Sequence, residues 1–287
     1  MILDESFVRR LEKLRLIARR RSRRGALGTH RSLRRGNGFE PAGHRPYAPG
    51  DDWRRIDWNA FRRLEKLYVA EREEEAERTV VIAIDRSGSM EGSKLDMARI
   101  LAAALAHVAL GEGDAVRLAA FAGDEVLALP PRRGQGAIFP ILRALGALEA
   151  RGTTAIASGC RRAVRGPVRP GLAVLLTDYL EAAPAREALL TLAGGGRDAV
   201  LVHTVAPEDE RCLLEGARRL VDAETGEELV LGLDRAARED YARAFERWTH
   251  ALAAEARKLG ATYVRVRSDA PLETVALAVL ERAGVLV

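Results

Sequence analysis

The stretch that decides the fold runs from Thr79 to Ser89 and reads Thr-Val-Val-Ile-Ala-Ile-Asp-Arg-Ser-Gly-Ser. Its apolar first half is typical of a strand that is buried on both faces of a sheet. The strand ends on Asp85, and hydroxyl side chains follow at alternate positions, Ser87 and Ser89. Such hard oxygen ligands suit Mg²⁺, with Mn²⁺ or Ca²⁺ as alternatives, and open α/β sheets bind ligands where their strands end. We therefore predict a cation site at the carboxyl end of this strand.

Strands and helices alternate regularly along the rest of the chain. Apolar runs predict strands at 79–84, 115–121, 125–129, 172–177, 199–205 and 262–266. Helical patterns cover 93–110, 138–149, 155–165, 184–193, 235–259 and 271–283. A second, exposed hairpin is expected at 219–222 and 228–231, around Glu224-Thr225-Gly226. This alternation needs crossover connections, so it predicts the α/β class, with a Rossmann-like, mostly parallel sheet flanked by helices.

The start of the chain predicts an N-terminal helix and a loop-rich extension. Phe7, Leu11, Leu14 and Ile17 fall on one face of a helix. Segment 39–62 is dense in aromatic residues, and we expect a small core from Phe39, Tyr47, Trp53, Ile56, Trp58 and Phe61. We divide the chain into this extension (1–76), a core domain (77–210) and a C-terminal part (211–287) that completes the α/β domain.

Charge and cysteine content bear on compartment and partners. The chain of 287 residues has a net charge of +5, but residues 1–36 carry twelve Lys or Arg against three acids. This basic start suits nucleic acid, an anionic membrane surface or an acidic protein face, and a solvated helix explains it equally well. The chain has only Cys160 and Cys212, which fits a reducing cytoplasm. We identify no signal peptide and no membrane span.

Two further segments have side chains with oxygen atoms at the end of a strand or at the entry to a helix. Thr154 lies in a loop that enters a helix, and Asp178 follows the strand at 172–177. Because the carboxyl ends of parallel strands meet at one edge of a sheet, we expect Thr154 and Asp178 to converge with Asp85. Neutral hydroxyls leave an open position on the cation, which an acidic side chain of a partner protein could fill. The alternative is that each of these residues only caps a helix.

The three segments Asp-Arg-Ser-Gly-Ser, Gly-Thr-Thr and Leu-Thr-Asp, in this order, resemble the metal-ion-dependent adhesion site of von Willebrand factor type A domains. The resemblance covers about 78–205. It implies as metal ligands Asp85, Ser87, Ser89, Thr154 and Asp178. Thr154 is preferred to Thr153 because Thr-Ala-Ile leads directly into the helix. Tyr179 follows the last acid where many such domains have glycine.

A second resemblance concerns the segment that precedes this domain. It is similar to the signature of the bacterial family called domain of unknown function 58, in which the signature also precedes a type A domain. The residues that carry it include Glu40, Arg45, Tyr47, Gly50, Asp51, Asp52, Arg54, Asp57 and Trp58. Members of that family are commonly associated with MoxR-type AAA+ ATPases, so the resemblance implies such a partner. The chain resembles the branch of the family without membrane helices.

The residues of this signature segment allow three interpretations. Arg–carboxylate pairs can fix an irregular loop, with Trp53 and Trp58 as apolar anchors. Alternatively, Asp51, Asp52 and Asp57 form a catalytic or second metal site. A third interpretation is a docking surface, because Trp, Tyr and Arg are enriched where proteins bind one another.

The whole pattern favours a binding module over an enzyme. Ser87 lies in Asp-Arg-Ser-Gly-Ser and not in Gly-x-Ser-x-Gly, and no phosphate-binding loop motif occurs. We therefore expect a soluble adaptor without catalytic residues, working with an ATPase in protein assembly or maturation. Nucleic-acid binding through the Arg-rich start, or metal-dependent hydrolysis, are the alternatives.

Overall fold

A computed structural model describes residues 9, 44–49, 53, 56–70, 78–166, 168–178 and 182–282. The described residues belong to two compact units, a smaller one within 44–70 and a larger one that comprises those within 78–282 together with Arg9. The predicted helix through Phe7 and Ile17 lies outside the described residues, apart from Arg9. No described helix is both long enough and apolar enough to cross a membrane.

The smaller unit is a short strand pair with one helix. Strand β1 (His44–Pro46) pairs antiparallel with β2 (Tyr68–Ala70), and helix α1 (Trp58–Leu64) lies between them in sequence. Among its described residues, the buried side chains are those of Ala60, Tyr68 and Val69. The prediction that Trp53, Trp58 and Phe61 form the core is wrong, because all three are exposed, the two tryptophans by more than half (63% and 55%). Apolar residues of β2 take the interior positions instead, and the ring of Trp58 only contacts that of Phe61 edge-on.

The larger unit is built on a six-stranded sheet in the order β10-β7-β6-β3-β4-β5. Its strands are β3 (Thr79–Asp85), β4 (Ala115–Ala122), β5 (Glu125–Arg132), β6 (Gly171–Thr177), β7 (Arg197–Val205) and β10 (Thr262–Arg267). All neighbours run parallel except β5, which pairs antiparallel with β4 at the edge. A separate hairpin consists of β8 (Gly216–Val221) and β9 (Glu228–Leu233). The predicted α/β class and mostly parallel sheet are confirmed.

Helices cover both faces of this sheet. They are α2 (Ser93–Gly111), α3 (Ile138–Gly146), α4 (Ile156–Ala163), α5 (Ala182–Ala193), the short α6 (Pro207–Glu210), α7 (Arg235–Lys258) and α8 (Leu272–Arg282). Alternate residues of β3 face opposite layers, so Ile82 packs with α2, α3 and α8, and Val81 packs with α4, α5 and α7. Burial on both faces explains why the central strand is apolar at consecutive positions.

The position of β3 creates a cleft at the carboxyl edge of the sheet. The chain passes from β3 through α2 to β4 on one side, whereas β6 joins β3 on the other side. The connections that leave β3 and β6 therefore diverge, and such a switch point is where open α/β sheets bind ligands. Asp85 ends β3 and Asp178 directly follows β6, so both acids lie at this cleft.

One contact between α4 and the sheet gives a test of the packing. A methyl group on Gly159 would collide with the ring of Phe121, which is fully buried in β4. We expect Gly159→Ala to lower the free energy of unfolding by about 1–3 kcal/mol through overpacking. The matched control is Gly146→Ala, at the end of α3, where the new methyl group meets open space. It should be neutral or stabilise by up to about 1 kcal/mol. Urea denaturation measures both, and equal effects of the two substitutions would contradict this packing.

Candidate functional site

The structure brings all five predicted site residues together at the cleft. Ser87 and Ser89 lie in the turn after β3, where residues Gly88–Met90 form a single 3₁₀ turn. Thr154 arrives from the loop before α4 and Asp178 from the end of β6. Asp85, Ser87 and Asp178 are almost completely buried. Buried polar side chains are costly, so their presence together at the end of a strand indicates a binding site rather than part of the hydrophobic core.

Asp85 fixes the turn and the neighbouring strand end. Its Oδ1 accepts a hydrogen bond from Ser87 N (3.0 Å), and its Oδ2 accepts one from Thr177 Oγ1 (2.8 Å). Burial raises the pKa of Asp85 to about 7, although the bond from Ser87 N opposes the shift. Both donors are uncharged, so a nearby cation would stabilise this carboxylate considerably.

The hydroxyl groups of three residues contact one another. Ser87 Oγ lies 3.1 Å from Ser89 Oγ and accepts from Thr154 Oγ1 at 2.9 Å. Ser89 Oγ also donates to Asp178 Oδ1 (3.2 Å). Thr154 therefore supplies the side chain to this cluster, whereas the backbone oxygen of Thr153 accepts from Gly123 N (2.7 Å).

The alternative that these residues are helix caps is wrong for the two helices at which it can be checked. Helix α4 has Ala155 at its N-cap, without a side-chain bond, so Thr154 does not cap it. Helix α2 has Gly92 at its N-cap, so neither Asp85 nor Ser87 caps it. The side chains at the cleft are thus directed at one another and not at the ends of these helices.

Lys94, which the sequence did not single out, is the counterion of Asp178. Its ammonium lies 2.8 Å from Asp178 Oδ2 and 3.3 Å from Asp209 Oδ2. Burial lowers the pKa of Lys94, but the two carboxylates more than offset this, so the net pKa is raised. Burial also raises the pKa of Asp178, and Lys94 opposes that shift. The two buried acids differ, since Asp178 has a cation in contact and Asp85 has neutral donors.

Glu224 is the second residue that the sequence did not single out. It lies at the tip of the β8–β9 hairpin, which was predicted as exposed, yet it reaches the hydroxyl cluster. Its Oε1 accepts from Ser89 Oγ (2.8 Å) and Thr154 Oγ1 (2.5 Å), and its Oε2 accepts from Thr154 N (2.7 Å). Burial raises the pKa of Glu224, but these hydrogen bonds outweigh it and leave the pKa lowered. A carboxylate from the hairpin thus lies directly against the hydroxyls of Ser89 and Thr154.

The oxygens at the cleft lie at hydrogen-bond distances from one another, and a small hard cation accepts ligands at a similar spacing. Ser87, Ser89, Glu224 and Thr154 form a closed ring with successive oxygen separations of 3.1, 2.8, 2.5 and 2.9 Å. In an octahedron with Mg²⁺–O distances of 2.0–2.1 Å, neighbouring ligands lie about 2.9 Å apart. Within the described residues, no group of three or more His, Cys, Asp or Glu is arranged to hold a metal ion. A cation here would therefore depend mainly on serine and threonine oxygens, which fit it.

An aromatic cavity of about 310 Å³ adjoins the site beside Asp178. Tyr241, Phe245 and Trp248 of α7 line it, together with His203 of β7. His203 is buried, and its Nδ1 lies 2.8 Å from the hydroxyl of Tyr263. Burial lowers the pKa of His203 to about 4, so this ring is neutral at physiological pH.

Most of the predicted signature residues cannot be placed. Glu40, Gly50, Asp51, Asp52 and Arg54 lie outside the described residues, and Arg45 is described by its backbone alone. Tyr47 is half-buried and Trp58 is exposed. Asp57 has a definite structural role, because its Oδ1 accepts from Asn59 N (2.8 Å) and Ala60 N (3.0 Å) and caps α1. The Arg-rich start also lies outside the described residues, except for Arg9.

The amino-acid sequence of this chain matches a protein family and is similar to individual proteins. The family described as "Protein of unknown function DUF58" matches residues 43–251. The uncharacterized protein Rv1480 of Mycobacterium tuberculosis is 29% identical over 252 residues, which is 84% of this chain and 78% of that protein.

Solved structures resemble the chain less closely. An aerotolerance-related membrane protein of Bacteroides fragilis has a TM-score of 0.45 and 21% identity, over 72% of this chain and 98% of that one. A von Willebrand factor type A protein of Catenulispora acidiphila has a TM-score of 0.40 and 17% identity, over 73% of this chain and 43% of that one. The fold of this chain follows from the order and direction of its strands.

The ion pair of Lys94 predicts a large effect on stability. Lys94→Met leaves Asp178 buried without its closest cation, so we expect a loss of about 3 kcal/mol in the free energy of unfolding. The double variant Lys94→Met, Asp178→Asn removes both charges and should recover most of that loss. Urea denaturation in the presence of EDTA measures both. A loss below about 1 kcal/mol, as for a surface pair, would contradict the assigned role.

The buried His203 predicts a pH dependence. In the unfolded chain its pKa is about 6.5, so on acidification the unfolded state takes up a proton that the folded state resists down to pH 4. The free energy of unfolding therefore decreases as the pH falls from 6.5 towards 4, by about 2 kcal/mol between pH 7 and pH 5. The raised pKa of Asp85 acts in the opposite direction, so the measure is the stability of wild type minus that of His203→Gln. A difference that stays constant between pH 7 and pH 5 would contradict it.

Proposed function

Since the chain belongs to the DUF58 family of proteins of unknown function, we propose that it is a metal-dependent protein-interaction module. The observation that carries this proposal is the ring of oxygens from three separate turns and loops at the switch point of the sheet. Ser87, Ser89, Thr154 and Glu224 approach one another from segments up to 135 residues apart in sequence. A core has no need for such an arrangement, whereas a hard cation does.

The chain's own residues have distinct parts in this proposed site. Ser87, Ser89 and Thr154 hold the cation, which when bound attracts an acidic side chain. Asp85 lies behind them and orients the turn through Ser87 N, and it supplies negative charge next to the cation. Asp178 accepts from Ser89 and is itself held by Lys94. The proposed ligands of the cation are thus neutral hydroxyls, and the charged groups Asp85, Asp178 and Lys94 lie around them.

The contacts of Ser87 favour ligation over catalysis. Its Oγ contacts the hydroxyls of Ser89 and Thr154 and also interacts with the carboxylates of Asp85 and Glu224, so it is shared among several oxygens, as in a cation site. We therefore propose an adaptor and not a hydrolase. Nucleic-acid binding through the Arg-rich start gains no support from the described residues.

We propose Mg²⁺ as the cation and a MoxR-type AAA+ ATPase as the partner, the latter on the family resemblance alone. The ATPase would engage through an acidic side chain, and the pair would act in protein assembly or maturation. Cys160 and Cys212 are both free thiols, which favours a reducing compartment such as the cytoplasm for this work.

Isothermal titration with Mg²⁺ tests the metal site directly. We expect wild type to bind and both Asp85→Asn and Asp178→Asn to bind at least about tenfold more weakly, because each loses negative charge beside the cation. Asp198→Asn is the matched control, since Asp198 is exposed at the amino end of β7, on the opposite edge of the sheet. Equal Mg²⁺ affinity in all four proteins, or no binding by any, would refute the metal-dependent module.

A further inference from the structure

We propose that Glu224 is an internal ligand of the cation site, occupying the position that a partner's carboxylate would take. The β8–β9 hairpin then acts as an intramolecular competitor for that partner. This inference rests on the proposed function, because it requires a cation at the cleft. It goes further in naming a residue of this chain that completes the site and controls access to it.

The contacts of Glu224 are those of a ligand and not of a surface residue. Both of its carboxylate oxygens are used, Oε1 by the hydroxyls of Ser89 and Thr154, and Oε2 by the backbone nitrogen of Thr154. The two hydroxyls are the same ones that were predicted to bind the metal. The Oε1 atom therefore lies where a further anionic oxygen would join their coordination shell.

A close backbone contact shows that the hairpin tip is seated on the metal-binding turn. A Cβ atom added to Gly88 would lie 2.5 Å from the backbone oxygen of Ala223, the residue before Glu224. Only glycine leaves room for that oxygen. This contact does not involve Glu224 itself, so it supports the docked position of the tip independently.

The turn of the hairpin is built to present Glu224 in one orientation. Asp222 Oδ1 accepts from Glu224 N (2.8 Å) and Thr225 N (2.7 Å). Gly226 has a positive φ of 74° and its nitrogen donates to Asp222 O (3.0 Å). Because these bonds fix the backbone on both sides of Glu224, little conformational entropy is lost when its carboxylate docks.

The strands behind the tip are held much less firmly. Strands β8 and β9 form a sheet of their own and do not join the six-stranded sheet. Nearly all of their residues are exposed, including Val221, Leu229 and Val230. An isolated two-stranded hairpin is only marginally stable in water, so the tip can leave the site without unfolding the domain. A partner's carboxylate would then compete with Glu224. The partner's apparent affinity would be its intrinsic affinity multiplied by the fraction of molecules in which the tip is undocked.

Mn²⁺ in place of Mg²⁺ makes the proposal measurable, because water-proton relaxation counts the water molecules on the bound Mn²⁺. If Glu224 is a ligand, Glu224→Ala should add one water and weaken Mn²⁺ binding by about ten- to hundredfold. The matched control is Glu227→Ala, which removes an exposed acid from the same turn. It should match wild type in both readouts.

A second variant is designed to displace the hairpin tip while keeping every side chain that is proposed to bind the cation. Gly88→Ala should push the tip away through Ala223 and should also add one water to the bound Mn²⁺. Hydrogen exchange gives an independent readout. Adding Mg²⁺ should slow exchange of the amides at 222–227 in wild type and leave them unchanged in Glu224→Ala.

The outcomes separate this inference from the function on which it rests. If wild type binds Mn²⁺, Asp85→Asn does not, and Glu224→Ala keeps the affinity and water number of wild type, the internal ligand is refuted and the metal site stands. If wild type binds no Mn²⁺ at all, both are refuted. One added water in Glu224→Ala and Gly88→Ala, with none in Glu227→Ala, supports the internal ligand.

Discussion

The burial of one carboxylate at the end of the central strand organises the site. Asp85 cannot reach water, so its oxygens must be satisfied by groups that the fold supplies. Ser87 N and Thr177 Oγ1 do this, and in doing so they join the turn after β3 to the end of β6. The hydroxyls of Ser87 and Ser89 consequently lie together at the cleft. The hydrogen bonds that the buried carboxylate of Asp85 requires thus determine where the oxygens of this turn lie.

The charges at the cleft are arranged in two layers. Asp85 and Asp178 lie behind the hydroxyls, and Lys94 compensates the second of them. A cation in front of the hydroxyls would therefore lie near the carboxylate of Asp85, whose hydrogen-bond donors are both uncharged. One carboxylate neutralises only part of the charge of a divalent cation, and the remaining positive charge favours an additional anionic ligand. Glu224 supplies one from within the chain, so internal and external carboxylates are alternatives for the same electrostatic demand.

The sequence predicted the fold and part of the site, for reasons that differ between residues. Alternating apolar runs located the sheet and helices because each strand is buried on both faces. The convergence of Asp85, Ser87, Ser89 and Asp178 could be predicted because strand ends in a parallel sheet share one edge. Thr154 was found because its segment resembles a known motif, and metal binding by the five residues stays a prediction. Lys94 and Glu224 could not be predicted, because a lysine on a helix and a glutamate in a turn are ordinary there. The exposure of Trp58 was unexpected because aromatic content alone does not tell which face of a small unit is covered.

The sequence separation within the oxygen ring has a consequence for the protein during its synthesis. Ser89 leaves the ribosome 135 residues before Glu224, an interval of about ten seconds at typical rates of translation. Through that interval the nascent chain carries the hydroxyl turn without its own carboxylate. The strand β10 at the edge of the sheet also follows Glu224 in the chain. The oxygen ring can therefore close only late in synthesis, after the strands and helices that lie between its two turns in sequence have been made.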